Sequence, residues 1–154
     1  MKFQKNYEIV KAKEIHLDEI ARIERENFPC PWKREYFKEE LFMPLRYNIV
    51  MILKEDEKNP KLIGYLFSHY TSEELHIAKI ATDKPYQRQG VSTALMDRCI
   101  SFCRLKNIKF ISLEVRVSNA PAIKFYEKYN FEKIYVRKRY YPDGEDAYFM
   151  MTSL

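Results

Sequence analysis

The sequence predicts a mixed α/β fold, a sheet with helices packed against it. Three β-rich runs, Tyr47 to Leu53, Lys61 to Tyr70 and Glu74 to Thr82, are separated by polar turns, as in an antiparallel meander. The third run leads through a loop ending in Gly90 into a helical pattern reaching about Lys106, a strand-loop-helix order. A second strand and helix follow at Phe110 to Val115 and Ala120 to Tyr129. At 154 residues the chain suits one domain spanning 1–154, because a single core of this size outweighs chain entropy without metals or disulfides.

Tyr7 to Lys11 reads as a first strand, and Leu17 to Asn27 as a helix with Ile20, Ile23 and Phe28 near one face. Phe28-Pro29-Cys30-Pro31-Trp32 breaks that helix, since two prolines remove amide donors and bias their predecessors to extended backbone. A second helix follows at about Arg34 to Phe42. The helix after Gly90 offers Val91, Leu95 and Phe102 to the core. Two final strands flank the turn Pro142-Asp143-Gly144. No repeat or linker divides the chain.

Hydrophobic residues make up 46% and charged residues 32%, which is globular usage and excludes a disordered scaffold. The net charge of +5 is spread along the chain, so a nucleic-acid-binding role lacks its concentrated basic patch, while attraction to a polyanionic ligand stays open. Cys30, Cys99 and Cys103 form no CxxC pair and point to a reducing cytoplasm. No apolar h-region follows Met1-Lys2-Phe3-Gln4-Lys5, and no run approaches the roughly 18 apolar residues of a membrane span, so a cytoplasmic protein without membrane contact is expected.

Gln87-Arg88-Gln89-Gly90-Val91-Ser92 places a glycine at a helix start, where backbone can approach a ligand closely and free amides can bind phosphate. By strand alternation Ser112, Glu114 and Arg116 share a face, and His76, with Ala78 and Ile80, lies on the same side if the two strands are neighbours. Taken alone, Glu114 is a surface carboxylate paired with Arg116, Tyr126 packs beside Phe125 and Tyr129 as one of 12 tyrosines, and His76 is structural.

The run Ile80-Ala81-Thr82 through Ser92 resembles the acetyl-CoA signature of the GNAT superfamily, Gln/Arg-x-x-Gly-x-Gly/Ala, with Ser92 standing where the pattern has Gly or Ala. Leu113 to Glu127 resembles the segment of RimI-like N-acetyltransferases that carries a base, a CoA-contacting Asn and an acid. The resemblance spans most of the chain. It implies the GNAT fold, a mixed, mostly antiparallel sheet of about seven strands splayed between the fourth and fifth. It implies acetyl-CoA as cosubstrate, with Ile80, Ala81 and Thr82 holding the acetyl and pantetheine portion and Arg88, Gln89, Gly90, Val91, Ser92 and Thr93 cradling the pyrophosphate. The Ser92 hydroxyl then fits beside the pyrophosphate or turns away. Asn119 would contact the pantetheine arm.

The same resemblance makes Glu114 the general base, with a pKa raised by partial burial, and Tyr126 the acid that protonates the CoA thiolate. His76 is a second candidate base, and the His-Glu pair could also capture adventitious metal, though no metal is required. Phe28, Trp32 and Tyr141 would line the acceptor slot, a protein or peptide N-terminus, with a ribosomal protein among the partners. The protein is expected to act as a monomer or weak homodimer. Nothing basic at a fixed spacing points to a lowered Cys30 pKa, so direct transfer is preferred over an acetyl-cysteine route. Lysine side chains or polyamines remain as other acceptors, and a noncatalytic CoA- or nucleic-acid-binding module is the rival of another class.

Overall fold

The computed structural model describes residues 1–154. The strands are β1 (Tyr7–Lys11), β2 (Ile49–Leu53), β3 (Lys61–Tyr70), β4 (Glu74–Thr82), β5 (Phe110–Arg116), β6 (Glu132–Arg137) and β7 (Ala147–Ser153). The helices are α1 (Leu17–Asn27), α2 (Arg34–Phe42), α3 (Val91–Leu105) and α4 (Ala120–Glu127). One seven-stranded sheet runs in the order β1-β2-β3-β4-β5-β7-β6, antiparallel throughout except for the parallel pair β4 and β5. That one parallel step follows from the crossover through α3, since parallel neighbours cannot be joined by a tight turn.

Both faces of the sheet are covered, and β2 shows why its sequence is apolar without interruption. Ile49, Met51 and Leu53 face a cluster with Val91, Leu95, Met96, Cys99 and Cys103 of α3 and Ile123 of α4. Val50 and Ile52 face the opposite cluster, with Leu17, Ile20 and Ile23 of α1 and Phe37 of α2. A strand buried on both sides loses the alternation that marks a half-exposed one. Gly64 lets α3 lie close to β3, because a Cβ there would stand 2.7 Å from Cγ1 of Val91.

The elements differ from expectation mainly at their ends. Tyr47 lies before β2, which starts at Ile49, and α4 stops at Glu127, two residues short of Tyr129. Phe102 is only partly buried and stacks on Tyr47 at 3.9 Å, at the edge of the core. The last two strands flank the Pro142-Asp143-Gly144 turn, closed by the Gly144 amide donating to the Tyr141 carbonyl at 2.8 Å, but it sits inside a longer segment, 138–146, that can cover neighbouring elements.

β4 and β5 pair only from Glu74↔Phe110 to Ile77↔Leu113. Beyond those residues the strands diverge, although β4 stays paired to β3 as far as Thr82 and β5 to β7 as far as Arg116. The sheet is therefore splayed between its fourth and fifth strands.

Candidate active site

Ala78 to Thr82 line one wall of the splay with a strand edge whose outward backbone groups find no partner on β5. Such an edge is a ready template for an extended amide-containing chain. Thr82 is the exception, because its carbonyl accepts from Asn27 Nδ2 and Gln87 Nε2, each at 3.3 Å.

The wall ends at the N-terminus of α3. Gly90, at φ 96°, is the N-cap residue and no side chain caps the first amides, which leaves them free for an anion. Arg88 is exposed and makes no ion pair, so its charge is available at the same place. Val91 is buried in the core and offers only its backbone. The Ser92 hydroxyl lies 3.1 Å from Thr82 Oγ1, which turns it back to β4. The Thr93 carbonyl accepts from the Tyr129 hydroxyl at 3.4 Å, tying α3 to the end of α4. Gln89 is spent on the Pro85 carbonyl at 3.0 Å.

Gly90 has a second reason to be glycine that the sequence did not disclose. A Cβ there would stand 2.6 Å from the Met1 carbonyl oxygen and 2.7 Å from the Phe3 nitrogen. The chain's own first residues crowd this turn. A cavity of about 480 Å³ beside them, lined by Phe3, Tyr7, Ile9, Thr93, Asp97 and Arg98 among others, lies along α3 and contains neither Glu114 nor His76.

Glu114 is the first residue of β5 past the paired segment, at the mouth of the splay. Its Oε2 lies 2.7 Å from His76 Nε2, and its Oε1 accepts from Arg137 Nε at 3.1 Å. Alternation across the parallel pair does bring His76 and Glu114 to one side. The expected rise in the Glu114 pKa is not found. Burial pushes it up, but the hydrogen bond and charge of His76, with those of Arg137, outweigh burial and leave it below its ordinary value. Arg116 is not its partner: it pairs with Asp143 at 2.8 Å and Glu145 at 2.9 Å.

Those pairs fold the 138–146 segment back over the mouth. The Arg116 guanidinium also lies 4.1 Å from the Tyr141 ring and reaches Cys30, so a basic neighbour invisible in sequence joins β5, this segment and the α1–α2 connection. Tyr126 packs at 5.5 Å from Phe125 and 5.7 Å from Phe131, largely buried. Its hydroxyl makes no hydrogen bond, and no buried side-chain polar atom lacks a partner, so the hydroxyl opens to solvent. Burial, then the nearby Tyr141 phenol, push its pKa up. The phenol therefore stays protonated at neutral pH. Asn119 caps α4 by accepting from the Ala122 amide at 3.3 Å, which commits its oxygen but leaves its amide nitrogen free.

Phe28 and Trp32 are half-buried, and Lys79 Nζ of β4 sits 4.1 Å from the first ring and 5.2 Å from the second. Two features of this wall went unread in the sequence. Tyr140 feels both Glu114 and Tyr36, bringing the long segment and α2 together over the mouth. Glu24 of α1 is fully buried, 2.8 Å from Lys79 Nζ and 3.0 Å from the Trp32 amide, and accepts from the Tyr65 hydroxyl. A carboxylate on the apolar face of α1, beside Ile20 and Ile23, was the available signal, because an unpaired charge there is too costly to persist.

Residues 17–131 match the Acetyltransferase (GNAT) family. The chain belongs to this family. It is 33% identical, over 90% of its length and 89% of the relative's, to a putative [ribosomal protein bS18]-alanine N-acetyltransferase of Bacillus subtilis (strain 168). It is 36% identical to an N-alpha-acetyltransferase of Saccharolobus solfataricus, covering 97% of this chain and 95% of that one. The crystal structure of the ribosomal-protein-S18-alanine N-acetyltransferase from Escherichia coli superposes with a TM-score of 0.86 at 28% identity, over 96% of this chain and 94% of that one. The GNAT chain is thus an acetyl-CoA-dependent N-acetyltransferase.

Proposed function

We propose that the chain transfers the acetyl group of acetyl-CoA directly to the α-amino group of protein N-termini, with Glu114 as general base and Tyr126 as general acid. The observation that carries this is the carboxylate–imidazole pair at the mouth of the splay, together with the Tyr126 phenol held protonated beside Tyr141. The relatives named for N-alpha and bS18-alanine acetylation support the acceptor.

The pantetheine arm lies along Ala78 to Ala81, with the pyrophosphate on the amides of Gly90 to Thr93 and Arg88 beside it. A free amide of β4 takes up the negative charge that develops on the acetyl oxygen. The acceptor amine enters between Trp32 and Phe28 on one side and Tyr141 on the other. Its ammonium gives one proton to Glu114, the nitrogen electron pair attacks the acetyl carbon, the carbon–sulfur bond breaks as Tyr126 protonates the departing thiolate, and the second proton, shed by the acylated nitrogen, restores the phenol through water. Because His76 and Arg137 keep Glu114 ionised, the base is ready at neutral pH, and the imidazole beside it shares the proton.

Purified protein, acetyl-CoA and peptides beginning Ala, Ser, Thr or Met, each beside an N-terminally blocked, lysine-containing copy, test the reading through CoA release. Release with several free N-termini and none with blocked copies is expected, the mark of a broad acceptor range. Release only with an alanine start narrows it to the bS18 type. Release only with blocked copies reassigns the enzyme to lysine.

A further inference from the structure

The contact from Glu114 to His76 does not end at the imidazole. His76 Nδ1 lies 2.7 Å from Ser112 Oγ, and Ser112 Oγ lies 2.7 Å from Glu74 Oε2. A carboxylate therefore stands at each end of a chain that runs Glu114, His76, Ser112, Glu74. Ser112 is fully buried in the paired part of β5, opposite His76 in the register, whereas Glu74 is partly exposed at the outer end of β4. Ser112 lies on the face of β5 that carries Glu114 and Arg116, while Ile111, Leu113 and Val115 pack into the core on the other.

Hydrogen counting gives the chain a function. Ionised carboxylates only accept, so three hydrogen bonds need three hydrogens from the ring and the hydroxyl. Neutral imidazole and one hydroxyl supply two. All three bonds close together only when the Glu114–His76 pair carries one further proton, and their three donor–acceptor distances of 2.7 Å leave room for a hydrogen in each.

We propose that Ser112 and Glu74 are positioning residues that keep the His76 proton at Nδ1, so that Nε2 is open beside Glu114 to receive the proton the acceptor amine gives up. This rests on the reading of Glu114 as the base. When the acceptor's ammonium lies against Glu114, substrate meets that charge, and Ser112 with Glu74 behind it is the anionic partner left to the ring. The ammonium N–H bond breaks, its electron pair stays on nitrogen, and the proton passes by Glu114 Oε2 to form an N–H bond at Nε2. The imidazolium rests between two carboxylates and returns the proton to water after the product leaves. The logic is that of a third group fixing the tautomer of a catalytic histidine.

The other groups around the ring leave this role to Ser112 and Glu74. His69 of β3 lies 5.2 Å away, with Arg46 and Glu40 behind it, and Phe149 of β7 stacks at 6.3 Å. Arg137 and Tyr140 act on Glu114.

Ser112→Ala and Glu74→Gln test the proposal, the first by deleting the hydroxyl and the second by deleting only the outer charge. With a free N-terminal peptide, both are expected to hold the KM for peptide and for acetyl-CoA and to lose about 10-fold in kcat, the low end of acid–base contributions. The acid limb of the kcat profile moves to lower pH, because the proton-loaded ring is one stabilising partner short. In ¹⁵N spectra of His76 with CoA and the peptide bound, the wild-type ring is the Nδ1–H tautomer and Ser112→Ala shifts it to Nε2–H. A wild-type ring in the Nε2–H form, or variants with unchanged turnover and pH profile, overturns the proposal. So does lost turnover with an unmoved limb, which marks a merely structural role. Full turnover in Glu114→Gln strikes the base assignment instead, whereas a slow Glu114→Gln beside a fast Ser112→Ala strikes only the relay.

Discussion

The two halves of the β4–β5 seam are made by the same two strands and do different things. From Glu74 to Ile77 the strands pair, and their inward groups are settled in hydrogen bonds or core. From Ala78 and Glu114 onward they part, and the sheet exposes a backbone edge, a carboxylate and the uncapped start of α3. A sheet that stays closed satisfies its own groups, and one that opens partway turns the unsatisfied ones into a site. The closed half still matters to the open half, because it fixes the imidazole against which Glu114 rests.

The largest effect expected from breaking this arrangement is at the mouth. Glu114→Gln keeps the shape and the Arg137 contact but removes the proton acceptor, and kcat should fall about 100-fold or more with acetyl-CoA binding retained, measured by steady-state CoA release and calorimetry. Tyr126→Phe should lower kcat about 10-fold with the same binding, because only the departing thiolate loses its donor. Unchanged turnover in that variant would remove Tyr126 from its role. At the far end of the open half, Arg88→Ala should raise the KM for acetyl-CoA a few-fold, and added salt should shrink the difference from wild type.

Gly90→Ala sharpens the comparison from the side of stability. Its left-handed backbone and the contacts with Met1 and Phe3 leave no room for a Cβ, so unfolding should show a loss of about 1–3 kcal/mol. The smallest effect is that of pH on the fold. Glu114 is depressed below 4.5, so its contribution is present above that value and is lost as pH falls through the lower folded value. Thermal melts should accordingly be flat near neutrality and fall below pH 4.5 more steeply in wild type than in Glu114→Gln.

The fold was largely legible because its elements have the right periods, and α1, β3 and β4 stand where their patterns put them. The shared side of His76 and Glu114 was legible too, since alternation in two neighbouring strands is enough to give it. The electrostatics were not. Arg137 lies 23 residues from Glu114 in sequence, and only the folding of β6 onto β7 brings it there to reverse the effect of burial. Arg116 went to Asp143 and Glu145 for the same reason, a long segment folding back across the mouth. Ser92 could be read only as a hydroxyl with two choices, and Thr82 made the choice. Glu24 shows the limit of periodicity: it marks the buried face of α1 but does not supply the lysine on β4 that makes the burial tolerable.

Hydrogen exchange with and without acetyl-CoA tests the central contrast most directly. The outward amides among Ala78 to Ala81, those not donated to β3, and the amides of Val91 to Thr93 should gain protection on binding, while Glu74 to Ile77, already paired, stay as they were. Protection confined to Lys2 to Tyr7 and Ala94 to Arg98, along the cavity on α3, would put the donor outside the splay and contradict the account.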